Sequence, residues 1–245
     1  MKMHTLINLI NMDKDLEFLR KCDSDDLQVL CDYLTEKGSL TESLKNKDSY
    51  KKYYPNNLIA MVDDIECEFR EFGSNTFFNL FGKTNSYKKI LCKVCDKMKV
   101  NYNEEQNVSF IEQNLLLKVL TDSVEKMSQE EIENIVKDMH LNVNIPTKEA
   151  VVAALQAGVK LGGFAVYQGA LIVANGFANA VLGKGLTFVA NKTLTKVIGA
   201  FAGPIGWVVT AVWTAIDIAG PAYRVIIPGC IQIAYMRTKL NSTLE

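Results

Sequence analysis

The chain is poor in the side chains that carry most metal and acid–base chemistry. Its 245 residues include two histidines, His4 and His140, and six cysteines. A structural zinc site needs four ligands, and the single CxxC pair of Cys92 and Cys95 supplies only two of them. We therefore predict no metal site, and we expect the cysteines to be reduced residues of a hydrophobic core.

The usual catalytic patterns are missing as well. No serine lies in a nucleophile elbow, no glycine-rich phosphate loop follows a predicted strand, and His140 stands apart from any candidate nucleophile. The carboxylates around Asp63 and Glu66 fall on the polar side of an amphipathic helix, where a solvated face is the simpler interpretation. We therefore predict no catalytic residue and no cofactor, and we expect a protein that is not an enzyme.

Export signals and nucleic-acid-binding features are also lacking. The apolar stretch from Leu6 to Met12 is too short for a cleavable signal and meets Asp13 at once. Cysteines without a disulfide framework are typical of a reducing cytoplasm. Neither half of the chain has a dense basic face with interleaved aromatic residues, so we expect no nucleic-acid partner.

Charge is absent from two long stretches in the second half of the chain. Leu161–Gly183 and Val197–Ile216 contain no charged residue, and twelve of the 15 glycines lie between Gly158 and Gly229. Such a tract either enters a bilayer or packs helix on helix with the backbones close together. From Ala150 onward seven basic residues accompany two acidic ones, which favours a weak attraction to anionic lipid.

The first half of the chain has the pattern of amphipathic helices. Leu27, Leu30 and Leu34 recur at helical spacing, and similar patterns follow further along. Ser128 with Glu131 three residues later has the spacing of a capping box, which marks the start of another helix. Strand-like alternation with a period of two is absent, so we predict an all-α fold.

Composition changes at Pro146 and Thr147, where Thr147 is placed to cap the next helix. We predict an amphipathic helical amino-terminal domain over residues 1–146, with a regulatory or targeting role. A Gly/Ala-rich hydrophobic helical bundle or hairpin is predicted over residues 147–245. Small residues recur there at a spacing of four, which lets a neighbouring helix approach closely. They are Ala150, Ala154, Gly158 and Gly162 in one row and Ala170, Ala174 and Ala178 in the other.

Prolines predict short helices near the end of the chain. The pairs Gly203-Pro204 and Gly220-Pro221 predict helix starts at their prolines, and Pro228 predicts a kink or break in the second helix. Only residues 149–175 form a comfortably long apolar span, because a membrane-spanning helix needs about 20 apolar residues. The same segments also fit the buried core of a soluble bundle, and both interpretations stay open.

Asp217 and Arg224 are the most informative charges in this apolar region. Asp217 is the only acidic residue between Glu149 and Glu245, and it lies about two helical turns before Arg224. A lone charge in an apolar setting is costly, so we predict a buried ion pair, with exposure at a solvated break as the alternative. Four aromatic residues are candidate membrane-interface anchors, with plain core packing as the alternative. They are Trp207, Trp213, Tyr223 and Tyr235.

Three segments resemble a known family. They are GAFAGPIGW at residues 199–207, WTAIDIAGPAYR at residues 213–224 and the opening DLEFLRKC at residues 15–22. Together they resemble the uncharacterised bacterial YaaW-like proteins, in which a short helical domain often precedes the apolar unit. Members of this family are sometimes labelled by a distant likeness to ubiquinol-cytochrome c chaperones, which assist the assembly of respiratory complexes. The resemblance implies no catalytic residue.

These features lead to three functional hypotheses. The first is a non-enzymatic protein in or on the inner membrane, which self-associates through its small-residue helix faces and inserts a helical hairpin, with pore formation as an extension. The second is a chaperone or assembly factor that binds a membrane-protein client with the same apolar surface. The third is a soluble cytoplasmic helical bundle.

Overall fold

The computed structural model describes residues 12–35, 43–77, 84–161, 164–186, 192–216 and 222–243. Throughout these residues the secondary structure is helical, with no β-strand, which confirms the predicted all-α class. Two short 3-10 helices, Glu17–Lys21 and Leu58–Met61, accompany the α-helices. The α-helices of the described residues are α1 (Ser24–Thr35), α2 (Ser43–Asn46), α3 (Asp48–Tyr53), α4 (Val62–Phe77), α5 (Tyr87–Lys97), α6 (Val108–Glu125), α7 (Gln129–Asp138), α8 (Lys148–Leu161), α9 (Phe164–Leu182), α10 (Lys192–Ile216) and α11 (Tyr223–Ser242).

Local capping explains where several of these helices begin. At the start of α7 the Ser128 side chain accepts from the Glu131 amide, and the Glu131 carboxylate accepts from the Ser128 amide. This reciprocal pair confirms the predicted capping box. Thr147 Oγ1 accepts from the Ala150 amide at 3.2 Å, so the predicted cap of α8 is confirmed as well.

Helix α11 lies at the centre of the fold. Every residue from Val225 to Met236 is buried, and the helix packs against α1, α4, α5, α6 and α9. The break predicted at Pro228 is therefore wrong, because α11 continues through it from Tyr223 to Ser242. A proline removes one backbone hydrogen bond from a helix, but tertiary packing on both sides of the missing bond holds the helix together.

The predicted helix start at Pro204 is wrong for the same reason. Helix α10 is a single helix of 25 residues that begins at Lys192 and contains Pro204 in its interior. Phe201 and Ile205, on either side of the proline, are both fully buried. Their burial on each side of Pro204 favours a continuous helix over the local preference of proline for a first turn.

The hydrophobic core extends across the boundary predicted at residues 146 and 147. Buried residues from all the described α-helices except α3 form one continuous cluster, and the partly buried Tyr50 and Tyr53 of α3 pack against it. Helix α11 comes from the second half, yet four of the helices it touches, α1, α4, α5 and α6, come from the first half. The boundary stays a prediction based on composition, and the two halves share their core.

Candidate functional site

Helices α9 and α10 form an apolar hairpin. Within the described residues, Ala165–Leu182 and Leu194–Ala211 are long and apolar enough to cross a membrane by length and composition, although core helices of soluble proteins can meet the same criterion. The first of these segments lies in α9 and overlaps the predicted span over residues 149–175. That span also includes residues 162 and 163, which lie outside the described residues. Helix α10 is about 37 Å long, which exceeds the hydrocarbon thickness of a bilayer at about 30 Å.

The inner side of the hairpin is tightly packed. Every residue from Ala170 to Ala178 is buried, and α9 contacts both α10 and α11. A Cβ atom on Gly176 would lie 2.7 Å from Cδ1 of Ile205, so any larger residue would force the Ile205 side chain to move. Extracting α9 from the fold would therefore expose a close-packed core.

Beyond Lys196, the outer side of α10 is exposed and carries no charge. We call it the α10 face; its residues are Gly199, Ala202, Gly203, Trp207, Thr210, Ala211 and Thr214, all exposed. Trp207 is 67% exposed, and Cβ atoms added to Gly199 or Gly203 would meet no neighbour within 4 Å. A helix on the surface of a soluble protein normally presents charged or polar residues to water, so this face is unusual for one.

The two threonines of the α10 face satisfy their hydroxyl groups within the helix. Thr210 Oγ1 donates to the carbonyl oxygen of Gly206 at 3.0 Å, and Thr214 Oγ1 donates to that of Thr210 at 3.0 Å. Such bonds to the preceding turn leave the hydroxyl without need of a water partner. The α10 face therefore has the surface chemistry that a lipid environment tolerates.

The predicted small-residue rows fall in different environments. Ala170, Ala174 and Ala178 are buried between helices, whereas Ala154 is half-buried on α8. Gly158 is also half-buried, and a Cβ there would lie 3.5 Å from that of Ala165, which is an ordinary contact distance. Gly162 lies outside the described residues, so the close contact predicted for Gly158 and Gly162 stays a prediction.

Sequence reasoning missed the glycines that are packed most tightly. A Cβ on Gly229 of α11 would lie 2.5 Å from Cε2 of Phe69, and one on Gly73 would lie 2.5 Å from Cδ1 of Ile90. Gly229 and Phe69 are far apart in the sequence, and no spacing rule connects them. Only the tertiary arrangement identifies these contacts.

The residues of the predicted charge pair and the predicted aromatic anchors also differ in burial. Arg224 is exposed at the start of α11, where a buried ion pair was predicted, and Asp217 lies outside the described residues. Trp207 is exposed, and the side chain of Trp213 lies outside the described set. Tyr223 is buried with the Lys97 ammonium 5.5 Å from its ring centroid, and Tyr235 is a core residue whose ring centroid lies 6.3 Å from that of Tyr167.

A buried polar network, also missed by sequence reasoning, joins α5, α6 and α11. Glu112 Oε1 accepts from the Tyr87 hydroxyl at 2.7 Å, and its Oε2 accepts from Nε of Arg237 at 2.7 Å. Arg237 Nη2 also donates to the backbone oxygen of Asp15 at 2.6 Å. Burial raises the pKa of Glu112 above its usual 4.5, and Arg237 and Tyr87 oppose that rise. One feature of the sequence could have indicated this network: Glu112 lies on the apolar face of α6, beside Ile111 and Leu115.

A second set of contacts binds the amino-terminal segment to the end of the chain. Lys239 Nζ lies 2.8 Å from Oδ2 of Asp23 and 2.7 Å from Oδ2 of Asp26. Burial by itself lowers the pKa of Lys239, but the two carboxylates outweigh it and raise the pKa to about 12. Gln232 Nε2 donates to the backbone oxygen of Asp26 at 3.1 Å. The segment that contains Asp23 and Asp26 is therefore held against α11.

The tip of the hairpin is held by a third contact. Lys184 Nζ in the turn after α9 forms an ion pair with Oδ2 of Asp32 on α1. Asp32 is 8% exposed, and its Oδ1 accepts from the Tyr54 hydroxyl at 2.9 Å. The turn after α9 is thus tied to α1, which α9 also contacts.

Five of the six cysteines are buried, and Cys67 is half-buried. Cys31, Cys92 and Cys95 are buried, and the described part of the chain holds no cluster of three or more potential metal ligands. Burial raises the pKa of the Cys31 and Cys95 thiols to about 12. A thiol with so high a pKa is a poor nucleophile at neutral pH.

A groove of about 580 Å³ lies between α6 and α8. Gln113, Asn114 and Gln156 line it together with Lys118 and Lys160, and the residues that line it include neither a thiol nor a carboxylate. Lys118 is engaged in an ion pair with Asp122 at 2.6 Å on its own helix. The groove therefore has a mixed lining of amide, lysine and apolar side chains, the last including Phe110 and Leu117.

These observations define an all-α helical protein with buried polar ties and an exposed, charge-free helix face. Compared with known proteins, the chain is 42% identical over 246 residues to a UPF0174 protein of Helicobacter pylori strain J99, which covers 95% of this chain and 94% of the relative. The chain belongs to the UPF0174 family, and the predicted resemblance to YaaW-like proteins is confirmed.

Two further relatives extend this comparison. A UPF0174 protein of Helicobacter pylori strain 26695 is 40% identical over 210 residues, covering 83% of this chain and all of the relative. The UPF0174 protein YaaW of Escherichia coli strain K12 is 28% identical over 260 residues, covering 97% of this chain and 98% of the relative. A domain of unknown function, DUF3944, matches residues 12–39, the segment that carries Asp23, Asp26 and Asp32. No solved structure matches the chain.

Proposed function

We propose that this protein is a non-enzymatic, membrane-associating helical protein that binds lipid through the α10 face and self-associates through its small residues. We place it on the cytoplasmic side of the inner membrane. The observation that carries the proposal is the exposed side of α10, which has Trp207 at its centre and no charge after Lys196. The apolar composition of the α9–α10 hairpin supports it.

The magnitudes favour reversible binding as the first step. Removing roughly 150 Å² of Trp207 surface from water contributes about 4 kcal/mol at about 25 cal/mol per Å². Lys196, exposed at the amino-terminal end of α10, adds about 1 kcal/mol next to anionic headgroups. A total of about 5 kcal/mol is comparable to the binding of a single acyl chain, which is marginal and reversible.

Full insertion of the hairpin is a separate and more costly step. Helix α9 is largely buried against α10 and α11, so its transfer into lipid first requires opening of the core. The binding free energy of the α10 face alone is too small to open the core. We therefore propose surface binding by the α10 face as the resting interaction and insertion of the hairpin, with self-association, as a triggered one.

Vesicle flotation with the full chain tests the resting interaction. The vesicles contain phosphatidylethanolamine and phosphatidylglycerol, and the variants are Trp207→Lys and, as matched control, Ile145→Lys. Ile145 is 71% exposed but lies outside the hairpin, so the control adds the same charge at another exposed apolar position. We expect the wild type and Ile145→Lys to float and Trp207→Lys to remain at the bottom. Failure of the folded wild type to float would overturn lipid binding by the α10 face.

A second candidate function uses the same surface for a protein partner. Gly199 and Gly203 are four residues apart with open space above both, which suits close packing of a second helix. A chaperone or assembly factor would hold an apolar helix of a membrane-protein client there. Binding of a synthetic transmembrane helix in detergent, lost in Gly199→Leu and retained in Ile145→Leu, together with absent vesicle binding, would favour this candidate over lipid binding.

A further inference from the structure

Lys184 is the one charged residue in the sequence between Lys160 and Lys192, and it lies at the tip of the α9–α10 hairpin. The turn that carries it is well defined: Gly183 adopts a left-handed conformation with φ of 66°, and Asn175 Oδ1 accepts from the Leu186 amide at 2.8 Å. The position of the charge is therefore set by the end of α9.

The partner of Lys184 belongs to a different part of the chain. Asp32 lies on α1, 152 positions earlier, within the DUF3944 segment. Its carboxylate is buried and receives two donors, the Lys184 ammonium and the Tyr54 hydroxyl. If Lys184 moves away, the neutral Tyr54 hydroxyl is the donor to Asp32 that remains among the described residues, and the buried carboxylate loses the charge of Lys184.

We propose that the Asp32–Lys184 ion pair is an autoinhibitory latch, which holds the hairpin tip on the DUF3944 segment and restrains insertion of the hairpin into a membrane. This inference rests on the proposed membrane function. Lys184 opposes insertion in a second way. A hairpin that enters the membrane tip first must carry the charged Lys184 side chain into the hydrocarbon. That transfer costs about 2.5 to 3.5 kcal/mol on insertion scales. The ion pair with Asp32 and the cost of burying the Lys184 charge in lipid thus both favour the folded position of the tip.

Two variants separate the latch from the charge cost. Asp32→Asn removes the ion pair, leaves Lys184 charged and keeps an acceptor for Tyr54. Lys184→Gln removes both the ion pair and the charge at the tip. Their matched controls are Asp122→Asn and Lys118→Gln, which remove the same charges from an ion pair within α6. The controls correct for the effect of net charge on binding to anionic vesicles.

The first measurement uses hydrogen exchange without lipid, followed at the Leu186 amide. Both Asp32→Asn and Lys184→Gln should accelerate its exchange about threefold to fivefold, the range expected for an ion pair with one half-exposed partner. The double variant should exchange no faster than the faster single variant, because both remove the same contact. The two controls should exchange at the wild-type rate.

The second measurement is insertion into phosphatidylethanolamine and phosphatidylglycerol vesicles, read as resistance of the bound protein to carbonate extraction. Asp32→Asn should insert more than wild type and Asp122→Asn, and Lys184→Gln should insert most although it loses a positive charge. Unchanged exchange at Leu186, or insertion of the latch variants at the level of their controls, would overturn the latch. Faster exchange with no membrane binding by any variant would instead overturn the proposed function and, with it, the latch's role.

Discussion

Arg237 on α11 donates from Nε to Oε2 of Glu112 on α6 at 2.7 Å, across a sequence separation of 125 residues. Glu112 is buried, and its other carboxylate oxygen accepts from Tyr87 on α5. The same guanidinium lies 4.1 Å from the ring centroid of Phe18 and donates to Asp15. One side chain of the last helix therefore orders the amino-terminal segment, α5 and α6 together.

Breaking the Glu112–Arg237 pair from one side should strongly destabilise the protein. Arg237→Met leaves the Glu112 carboxylate buried without a counter-charge, and loss of one partner of a buried pair typically costs about 3 to 5 kcal/mol. Glu112→Gln leaves Arg237 uncompensated and should act in the same direction. The double variant should lose less than the sum of the two single variants. Urea unfolding followed by circular dichroism measures all three.

The control for this experiment is Lys118→Gln, which breaks a partly exposed pair within α6 worth about 0 to 1 kcal/mol. Single variants of Glu112 and Arg237 that stay within about 0.5 kcal/mol of wild type would show that the network does not contribute to stability.

Glu112 should also make stability depend on pH. Burial raises its pKa in the folded state above the usual 4.5, so the folded protein holds this proton more tightly than the unfolded chain. The part of the stability that comes from this tighter proton binding is complete below pH 4.5 and is lost as the pH rises through the folded-state pKa. The free energy of unfolding of wild type, relative to Glu112→Gln, should therefore be greater at pH 4 than at pH 7. A difference that is constant or grows with pH would contradict the raised pKa.

Gly229 and Gly199 form a matched pair for testing close packing. Both lie inside α-helices, so replacement by alanine changes helix propensity equally, by about 1 kcal/mol in favour of alanine. A methyl group at Gly199 enters open space, whereas one at Gly229 meets the buried ring of Phe69. Gly199→Ala should stabilise the protein, and Gly229→Ala should be less stable than Gly199→Ala by about 1 to 3 kcal/mol. Equal thermal stability of the two variants would show that the core accommodates the methyl group.

Because Arg224 is exposed, we predict that its pairing with Asp217 contributes little to stability. An exposed pair is worth about 0 to 1 kcal/mol, so Arg224→Gln should change the free energy of unfolding by less than about 1 kcal/mol. Asp217→Asn tests the same pair by removing the charge of its acidic partner. Losses of about 3 kcal/mol or more in both single variants, with partial recovery in the double variant, would instead establish the buried pair that the sequence predicts.

The predicted helices that the structure confirms are those defined by local chemistry. Ser128 with Glu131 and Thr147 with Ala150 are contacts between residues three positions apart, so the signal and its partner are neighbours in the sequence. The helix start predicted at Pro204 and the break predicted at Pro228 were wrong because proline is only a local cost. Residues buried on both sides of each proline outweigh that cost, and no local pattern shows which residues those will be. The alternative at Pro228, a kink, stays a prediction.

For the candidate site the sequence alone determined that the second half holds long charge-free helices rich in small residues, because charge and residue size are properties of composition. Which of those residues face water was decided only by the tertiary structure. Trp207 is exposed while Tyr235 is buried, and Lys184 meets Asp32 at a distance of 152 residues. These outcomes depend on how α9, α10 and α11 pack against the first half, since burial and ion pairing are set by neighbours in space.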